Sequence, residues 1–323
     1  MSLRHAFDEP RPFPGQDPWI VAHDGALLLV QATRRDGRIV VKRFRDLAHM
    51  ERNHETVVWA PGRHGDHRRQ LWAPELHHIE GRWYLYYAAG DGRPGSHRTY
   101  ALVADDPLGP YRELGPVGDR NHDVWAIDLT VFTCDGRLYA LWSGWEGPDD
   151  RFPQNLYLAP MADPWTINGE RRRISRPEHD WETSVAAVNE GPQVIQHPAS
   201  GRLFVLYAAD ASWTQAYKTG LLEWTGGDLA DAGSWRKQPD PFFSGGGHAC
   251  VVDTPAGSHL VYHRKLGSDP GWADREIRSV PFAWTEDGLP VVDGHAARGR
   301  GDGGRGDRLA GPAFGDGRGL ISA

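Results

Sequence analysis

The sequence predicts an all-β chain folded as a five-bladed β-propeller, and three observations predict it. A strand–turn–strand unit recurs five times along the chain. Its leading residues, at positions 17, 73, 128, 190 and 248, return at intervals of 55 to 62 residues. No stretch longer than about ten residues carries an apolar period of 3.6, which leaves little room for amphipathic helices.

The first unit runs from Asp17-Pro18-Trp19 to a turn at Asp24-Gly25 and on into Ala26–Val30. The second leads from Ala73-Pro74-Glu75 through Gly81 into Arg82–Tyr87, and the third from Asp128 through Gly136 into Arg137–Trp142. In all three the glycine follows the leading residue by eight positions. The fourth leads from Glu190 through a longer turn at His197–Gly201 into Arg202–Tyr207, and the fifth from His248 through Thr254–Gly257 into Ser258–Tyr262. Asp, Asn, Gly and Pro at the junctions are the residues that tight turns select. A further strand is expected in each interval, over Arg38–Phe44, Thr99–Ala104, Asn155–Pro160, Lys218–Trp224 and Arg275–Phe282. Each interval holds a four-stranded blade, the unit from which propellers are assembled radially. The propeller is expected over residues 1–296. Residues 297–323, rich in Gly, Arg and Asp without apolar periodicity, are expected to be a flexible tail.

Composition excludes several classes of function. A net charge of −7 and only short basic runs, such as Arg171–Arg173, argue against nucleic acid, which needs a concentrated positive patch. No stretch approaches the roughly 18 apolar residues that span a bilayer, so no membrane partner is expected. Cys134 and Cys250 lie in apolar strand segments and read as buried, reduced thiols. The N-terminal residues show no charged region followed by an apolar core, and a cytoplasmic location is the expectation that follows. The chain carries 14 Trp, a residue that fills β cores and also stacks on sugar rings.

The chemistry follows from where the repeat puts its leading residues. The innermost strand of a propeller blade lines the central axis, so the five leading positions face one end of it. They hold Asp17, Ala73 with Glu75 nearby, Asp128, Glu190 and His248. A carboxylate in an apolar strand is costly to bury. Any one of the three could cap a turn or pair with an arginine; three at matching positions point to a shared cavity. Two carboxyl groups suffice for glycoside hydrolysis, one as acid on the leaving oxygen and one as base or nucleophile. A third beside the acid raises its pKa by like-charge repulsion. Zinc-type cysteine pairs, a phosphate-binding glycine loop and a Gly-x-Ser-x-Gly elbow are all absent from the sequence.

On these residues the chain resembles glycoside hydrolase family 43, the five-bladed arabinofuranosidases and xylosidases. The stretches that carry the resemblance are Gln16–Ile20, Trp72–Leu76, Ala126–Thr130, Asn189–Pro192, Gly247-His248, Tyr262-His263, Arg275 and Trp284–Pro290, which together cover roughly residues 10–294. The resemblance implies Asp17 as general base, Glu190 as general acid and Asp128 as the residue that tunes and orients the acid. It implies an inverting single displacement, with acid and base ~6.5–9.5 Å apart. It places His248 near the axis, either beside a hydrated calcium or other cation or as a hydrogen-bonded histidine without metal. Arg275 is expected to reach substrate hydroxyls or to make a surface ion pair, and Trp72 to form a sugar-binding wall or ordinary core. His263 reads as a core histidine, and Glu75 and Glu182 as supporting acids. Trp125, Trp145, Trp181 and Trp213 are all candidates for shaping the leaving-group side.

The implied function is an exo-acting α-L-arabinofuranosidase on an arabinose-containing oligosaccharide, with β-xylosidase or galactofuranosidase activity as alternatives. A xylose-containing oligosaccharide is the corresponding alternative partner. The exo mode is expected because a cytoplasmic enzyme meets short, imported oligosaccharides. The sucrose- and fructan-cleaving propellers carry Arg-Asp-Pro in the middle blade, where this chain has Ile127-Asp128-Leu129. A lectin propeller repeats near-identical sites, whereas these five leading positions differ; an interaction propeller would bind no sugar at all.

Overall fold

Two-residue turns with left-handed backbone set the framework. Asp24-Gly25, Glu80-Gly81 and Asp135-Gly136 all have positive φ at both central positions. That geometry matches the twist of an antiparallel hairpin, which is why glycine recurs eight residues after the leading position in the first three units. In a computed structural model, which describes residues 13–33, 37–62, 67, 69–118, 122–149 and 153–292, these hairpins build five antiparallel sheets arranged as blades.

Blade I comprises Trp19–His23, Ala26–Ala32, Ile39–Phe44 and His54–Trp59. Blade II comprises Arg69–Ile79, Arg82–Gly90, Arg98–Ala104 and Arg112–Pro116. Blade III comprises Ala126–Cys134, Arg137–Trp145 and Gln154–Asp163, whose outer side pairs with both Thr166–Ile167 and Arg172–Ser175. Blade IV comprises Asn189–Gln196, Leu203–Ala209, Lys218–Trp224 and Trp235–Lys237. Blade V comprises Gly247–Thr254, Gly257–Lys265 and Arg275–Trp284, with Pro290–Val292 on its outer half. Its other half pairs with the first described strand, Phe13↔Ile277 and Pro14↔Glu276, so the chain's beginning closes the ring onto its last blade. The five third strands expected from the sequence are all present. The segment 297–323, expected as a tail, lies outside the described residues.

Middle strands of a propeller are covered on both faces by the neighbouring blades. Leu203–Ala209 is accordingly buried at every position, an uninterrupted apolar run rather than an alternating one. The core is correspondingly a ring of clusters between blades. Tyr86, Val103, Leu129 and Trp142 join blades II and III, Leu156, Leu158, Val205 and Tyr207 join III and IV, and Phe204, Leu206, Leu260 and Tyr262 join IV and V. Truncating such a leucine to alanine costs about 2–5 kcal/mol. Cys134 and Cys250 are free and buried, and burial pushes the Cys250 thiol up to about 12. The helices among the described residues are three single turns, Leu47–His49, Asp180–Glu182 and Ala232–Ser234, and none is long and apolar enough to cross a membrane.

A second regularity organises the inner end of every blade. Asp17, Ala73, Asp128, Gly191 and His248 all adopt left-handed backbone, with φ between 39° and 54°. In blades II to V this residue interrupts the register of the innermost strand, as at Ile127/Thr130 and Glu190/Gln193. The kink turns the strand's first residues toward the axis. In the fourth blade the kinked residue is Gly191, not Glu190, so the third carboxyl group stands one position ahead of the other two. Its counterparts in the other blades are Gln16, Trp72, Ile127 and Gly247. Sterics explain the shift. A Cβ on Gly191 would lie 2.8 Å from Cγ of His248, so blade IV tolerates only glycine at the kink and presents its acid from the preceding residue.

Candidate active site

The kinks bring Asp17, Asp128, Glu190 and His248 together at one end of the axis, and Arg275 joins them from blade V. His248 is the hub. Its Nδ1 lies 3.5 Å from Oδ1 of Asp17 and 3.8 Å from Oδ2 of Asp128. Burial lowers its pKa, so the imidazole is neutral and these approaches are polar contacts rather than ion pairs. The backbone N–H of Gly191 donates to Oδ2 of Asp128 at 2.9 Å, which ties the residue after Glu190 to the middle blade. A space of about 10 Å³ opens beside Asp17, lined by Gln16, Gln31, Leu71, Ala73 and Pro74, about the least that admits one water molecule.

The carboxyl groups sit in unlike surroundings. Arg275 directs Nη1 to within 3.9 Å of Asp17 Oδ1, and its Nη2 donates to Gln16 Oε1. Asp17 thus has a cation beside it. Glu190 is enclosed: burial is the largest cause that lifts its pKa to about 7, and the charge of Asp17 adds to it. Hydrogen bonds from Tyr217 and Ser212 and the charge of Arg275 act in the opposite direction. Asp128 is raised well above the usual carboxylate range, first by burial and then by the charges of Glu190 and Asp17. Asp128 and Glu190 therefore resist being ionised together. Burial weighs most on Glu190, with the charge of Asp17 as the other cause that raises it, whereas like-charge repulsion from a third acid was the cause expected from sequence.

Several residues of the site carried no local signal in the sequence. Tyr217 donates its hydroxyl to Glu190 Oε1 at 2.8 Å and stacks on His263 with ring centroids 5.2 Å apart. Its fit is close, since a Cβ on Gly247 would fall 2.6 Å from its ring. His263 is fully buried, as a core histidine should be, yet it also serves the site. The Asp17 N–H donates to its Nδ1 at 2.9 Å, which leaves the proton on Nε2, an atom with no hydrogen-bond partner among the described residues. Burial depresses its pKa to about 3, so it is a neutral acceptor.

A second buried group lies behind Glu190. Asn189, wholly buried, donates to Glu182 Oε1 at 2.9 Å, while its own Oδ1 accepts from Ser175 and its backbone carbonyl from Ser143. Glu182 is itself fully buried and accepts from the backbone N–H groups of Glu178 and His179, from Tyr207 and from Lys237 Nζ at 2.9 Å. Lys237 belongs to the outermost strand of the blade. An ion pair thus fixes the residue that precedes the candidate acid. Glu75, the other supporting acid, lies in blade II, 2.8 Å from His77 Nε2; its pKa is raised chiefly by burial.

Trp72 occupies in its blade the station that Glu190 occupies in the fourth. It is half-buried, with one face stacked on His97 at 3.7 Å between centroids. The side chain of Arg275 is buried, not a surface ion-pair partner, and its Nε has no hydrogen-bond partner among the described residues. Among those residues no three His, Cys, Asp or Glu side chains group as a metal site. His248 offers one neutral imidazole, so a cation there would complete its shell with water; calcium prefers six to eight oxygen ligands, which these side chains do not build.

A five-bladed propeller with unequal buried carboxyl groups converging at one end of its axis defines a glycoside hydrolase. The comparisons give the family. Residues 12–290 match the description "Glycosyl hydrolases family 43", and the chain belongs to that family, whose members invert configuration at the anomeric carbon. It is 34% identical to an extracellular exo-α-(1→5)-L-arabinofuranosidase of Streptomyces chartreusis, over 81% of this chain and 85% of the relative. It is 33% identical to the enzyme of the same name from Streptomyces avermitilis, over 89% of this chain but 64% of that longer relative. The solved structure of an α-L-arabinofuranosidase from Lactobacillus brevis superposes with a TM-score of 0.76 at 30% identity, covering 85% of this chain and 92% of that one. The relatives overturn the expectation of a cytoplasmic protein: enzymes named extracellular are similar to this chain over most of its length, and the residues at the N-terminus do not decide compartment. The argument for exo action from imported oligosaccharides falls with it.

Proposed function

We propose that the protein removes terminal α-L-arabinofuranosyl residues from arabinose-containing oligosaccharides, with Glu190 as general acid and Asp17 as general base. Relatives at 33 and 34% identity are named exo-α-(1→5)-L-arabinofuranosidases, and exo action rests on them rather than on compartment. The observation that carries the roles is the contrast between the two acids: Glu190 keeps a proton up to about pH 7, while Asp17 lies beside Arg275.

In the reaction Glu190 gives its proton to the glycosidic oxygen as the bond from that oxygen to the anomeric carbon breaks. A water on the opposite face attacks the same carbon and passes a proton to Asp17. Each turnover leaves Glu190 ionised and Asp17 protonated, and exchange with solvent resets both. Asp128 holds the Gly191 N–H and, through it, the orientation of Glu190. Arg275 keeps its positive charge beside Asp17. Trp72, backed by His97, offers an aromatic face to the sugar. A cation is proposed only as a hydrated ion, calcium by resemblance, resting on His248; no step depends on it. Chelation with EDTA should leave turnover in place, and a loss reversed by calcium would give the ion a role.

The test is a panel of chromogenic α-L-arabinofuranoside, β-D-xylopyranoside and β-D-galactofuranoside, with Glu190→Ala as the control. Preference for the arabinofuranoside, lost in the variant, is expected. Preference for another sugar would replace the substrate and keep the mechanism.

A further inference from the structure

Of the tryptophans that the sequence offers for the leaving-group side, three are engaged elsewhere. Trp125 and Trp145 are buried and stacked on each other at 4.8 Å. Trp181 donates Nε1–H to the carbonyl of Pro239 and lies against Tyr207, toward the outside of blade IV. Trp213 differs. Its ring meets that of Trp272 at 5.2 Å and an interplanar angle of 50°, and Trp272 is 43% exposed. Trp213 is half-buried, so the pair sets a partly sheltered indole beside an exposed one, the kind of apolar surface that marks a binding groove.

The pair is held in place and anchored to the site on both sides. Gly271 N–H donates to the Trp213 carbonyl at 2.9 Å, and Gln215 Nε2 donates to the Leu266 carbonyl at 3.0 Å, which joins the blade IV loop to the blade V loop. Ser212, directly before Trp213, hydrogen-bonds Glu190. Under Trp272 the Arg275 guanidinium lies 5.4 Å from the ring centroid, and the same guanidinium reaches Asp17. A general acid must face the leaving oxygen, and the loop that carries Trp213 starts beside that acid's hydrogen-bond partner.

From this we infer that Trp213 and Trp272 form the platform for the sugar that follows the scissile bond, the arabinofuranosyl residue released with the leaving oxygen. The inference rests on the arabinofuranosidase reading above. A furanose ring presents C–H groups that pack on an indole face, and the angled pair covers two sides of it; Arg275 beneath Trp272 fixes the tilt of that ring. The platform would thereby favour a sugar as leaving group over a small alcohol.

The experiment compares α-1,5-arabinobiose, which reaches the platform, with methyl α-L-arabinofuranoside, which does not. In Trp272→Ala and Trp213→Ala the ratio of kcat/KM for the disaccharide over the methyl glycoside should fall about three- to tenfold, mainly through KM. Trp272→Tyr, which keeps an aromatic face, should restore most of the ratio, and a melting measurement confirms that each variant is folded. An unchanged ratio, whether both activities hold or fall together, overturns the platform and leaves the arabinofuranosidase reading intact. If the wild-type protein cleaves neither arabinoside, that reading fails and the proposed ligand fails with it.

Discussion

The backbone N–H of Gly191 donates to Oδ2 of Asp128 at 2.9 Å, so the middle blade grips the residue that follows the candidate acid. The same glycine lies against His248, the hub of the site, closely enough that a Cβ would approach its ring within 2.8 Å. Gly191 therefore relates three of the five blades, and its substitution tests the arrangement directly.

Gly191→Ala should displace His248 and loosen the hydrogen bond to Asp128. A misplacement of about 1 Å in such a site can cost roughly 100-fold in rate. Activity is expected to fall at least tenfold (an order-of-magnitude figure from the same source), with a lowered melting temperature. Full activity in a folded variant would show that the contact does not position the acid.

Because Glu190 holds its proton up to about pH 7, the basic limb of kcat/KM should fall near that pH. The hydrogen bond from Tyr217 lowers the pKa, so Tyr217→Phe should move the limb upward and reduce the plateau rate. Rate profiles of the two proteins on the same arabinoside check this. A limb that stays in place would separate it from Glu190.

The same raised pKa makes the acid a stability liability at high pH. The folded state holds the Glu190 proton up to about pH 7, whereas an unfolded carboxyl releases it near 4.5, so between those values the folded state binds more protons and stability falls as pH rises. Glu190→Gln abolishes that loss. Its melting temperature relative to wild type should rise from pH 5 to pH 8, and a constant difference would contradict the shift.

Behind the site, Lys237→Met would leave Glu182 charged and buried. Removing one partner of a buried pair costs about 3–5 kcal/mol, whereas replacing both partners is often near neutral. Urea denaturation of Lys237→Met, Glu182→Gln and the double variant should show a strong loss in the first and a partial recovery in the double. If the pair also sets Asn189 and hence Glu190, the double variant should lose more activity on arabinobiose than on an aryl glycoside, whose good leaving group needs little protonation.

The blade count, the hairpins and the third strands were legible in the sequence, because each depends on local physics: in the first three blades a left-handed turn demands glycine eight residues after the kink, and strands declare themselves by apolar runs between turns. Asp17, Asp128 and His248 were legible for the same reason, since the repeat places them on equivalent kinks. Glu190 was found among them, but its offset from the kink was not, because the requirement for glycine at 191 comes from His248, 57 residues away in the next blade. Tyr217, Ser212 and the Lys237–Glu182 pair act on Glu190 or its neighbour across strands, and their local sequence carries no mark of it. The same holds for the tryptophans, alike in sequence and separated only by what each packs against. Local backbone preference determined the scaffold and which blades carry acids; which acid keeps its proton, and which tryptophan stays exposed, was decided by burial and contact between distant segments.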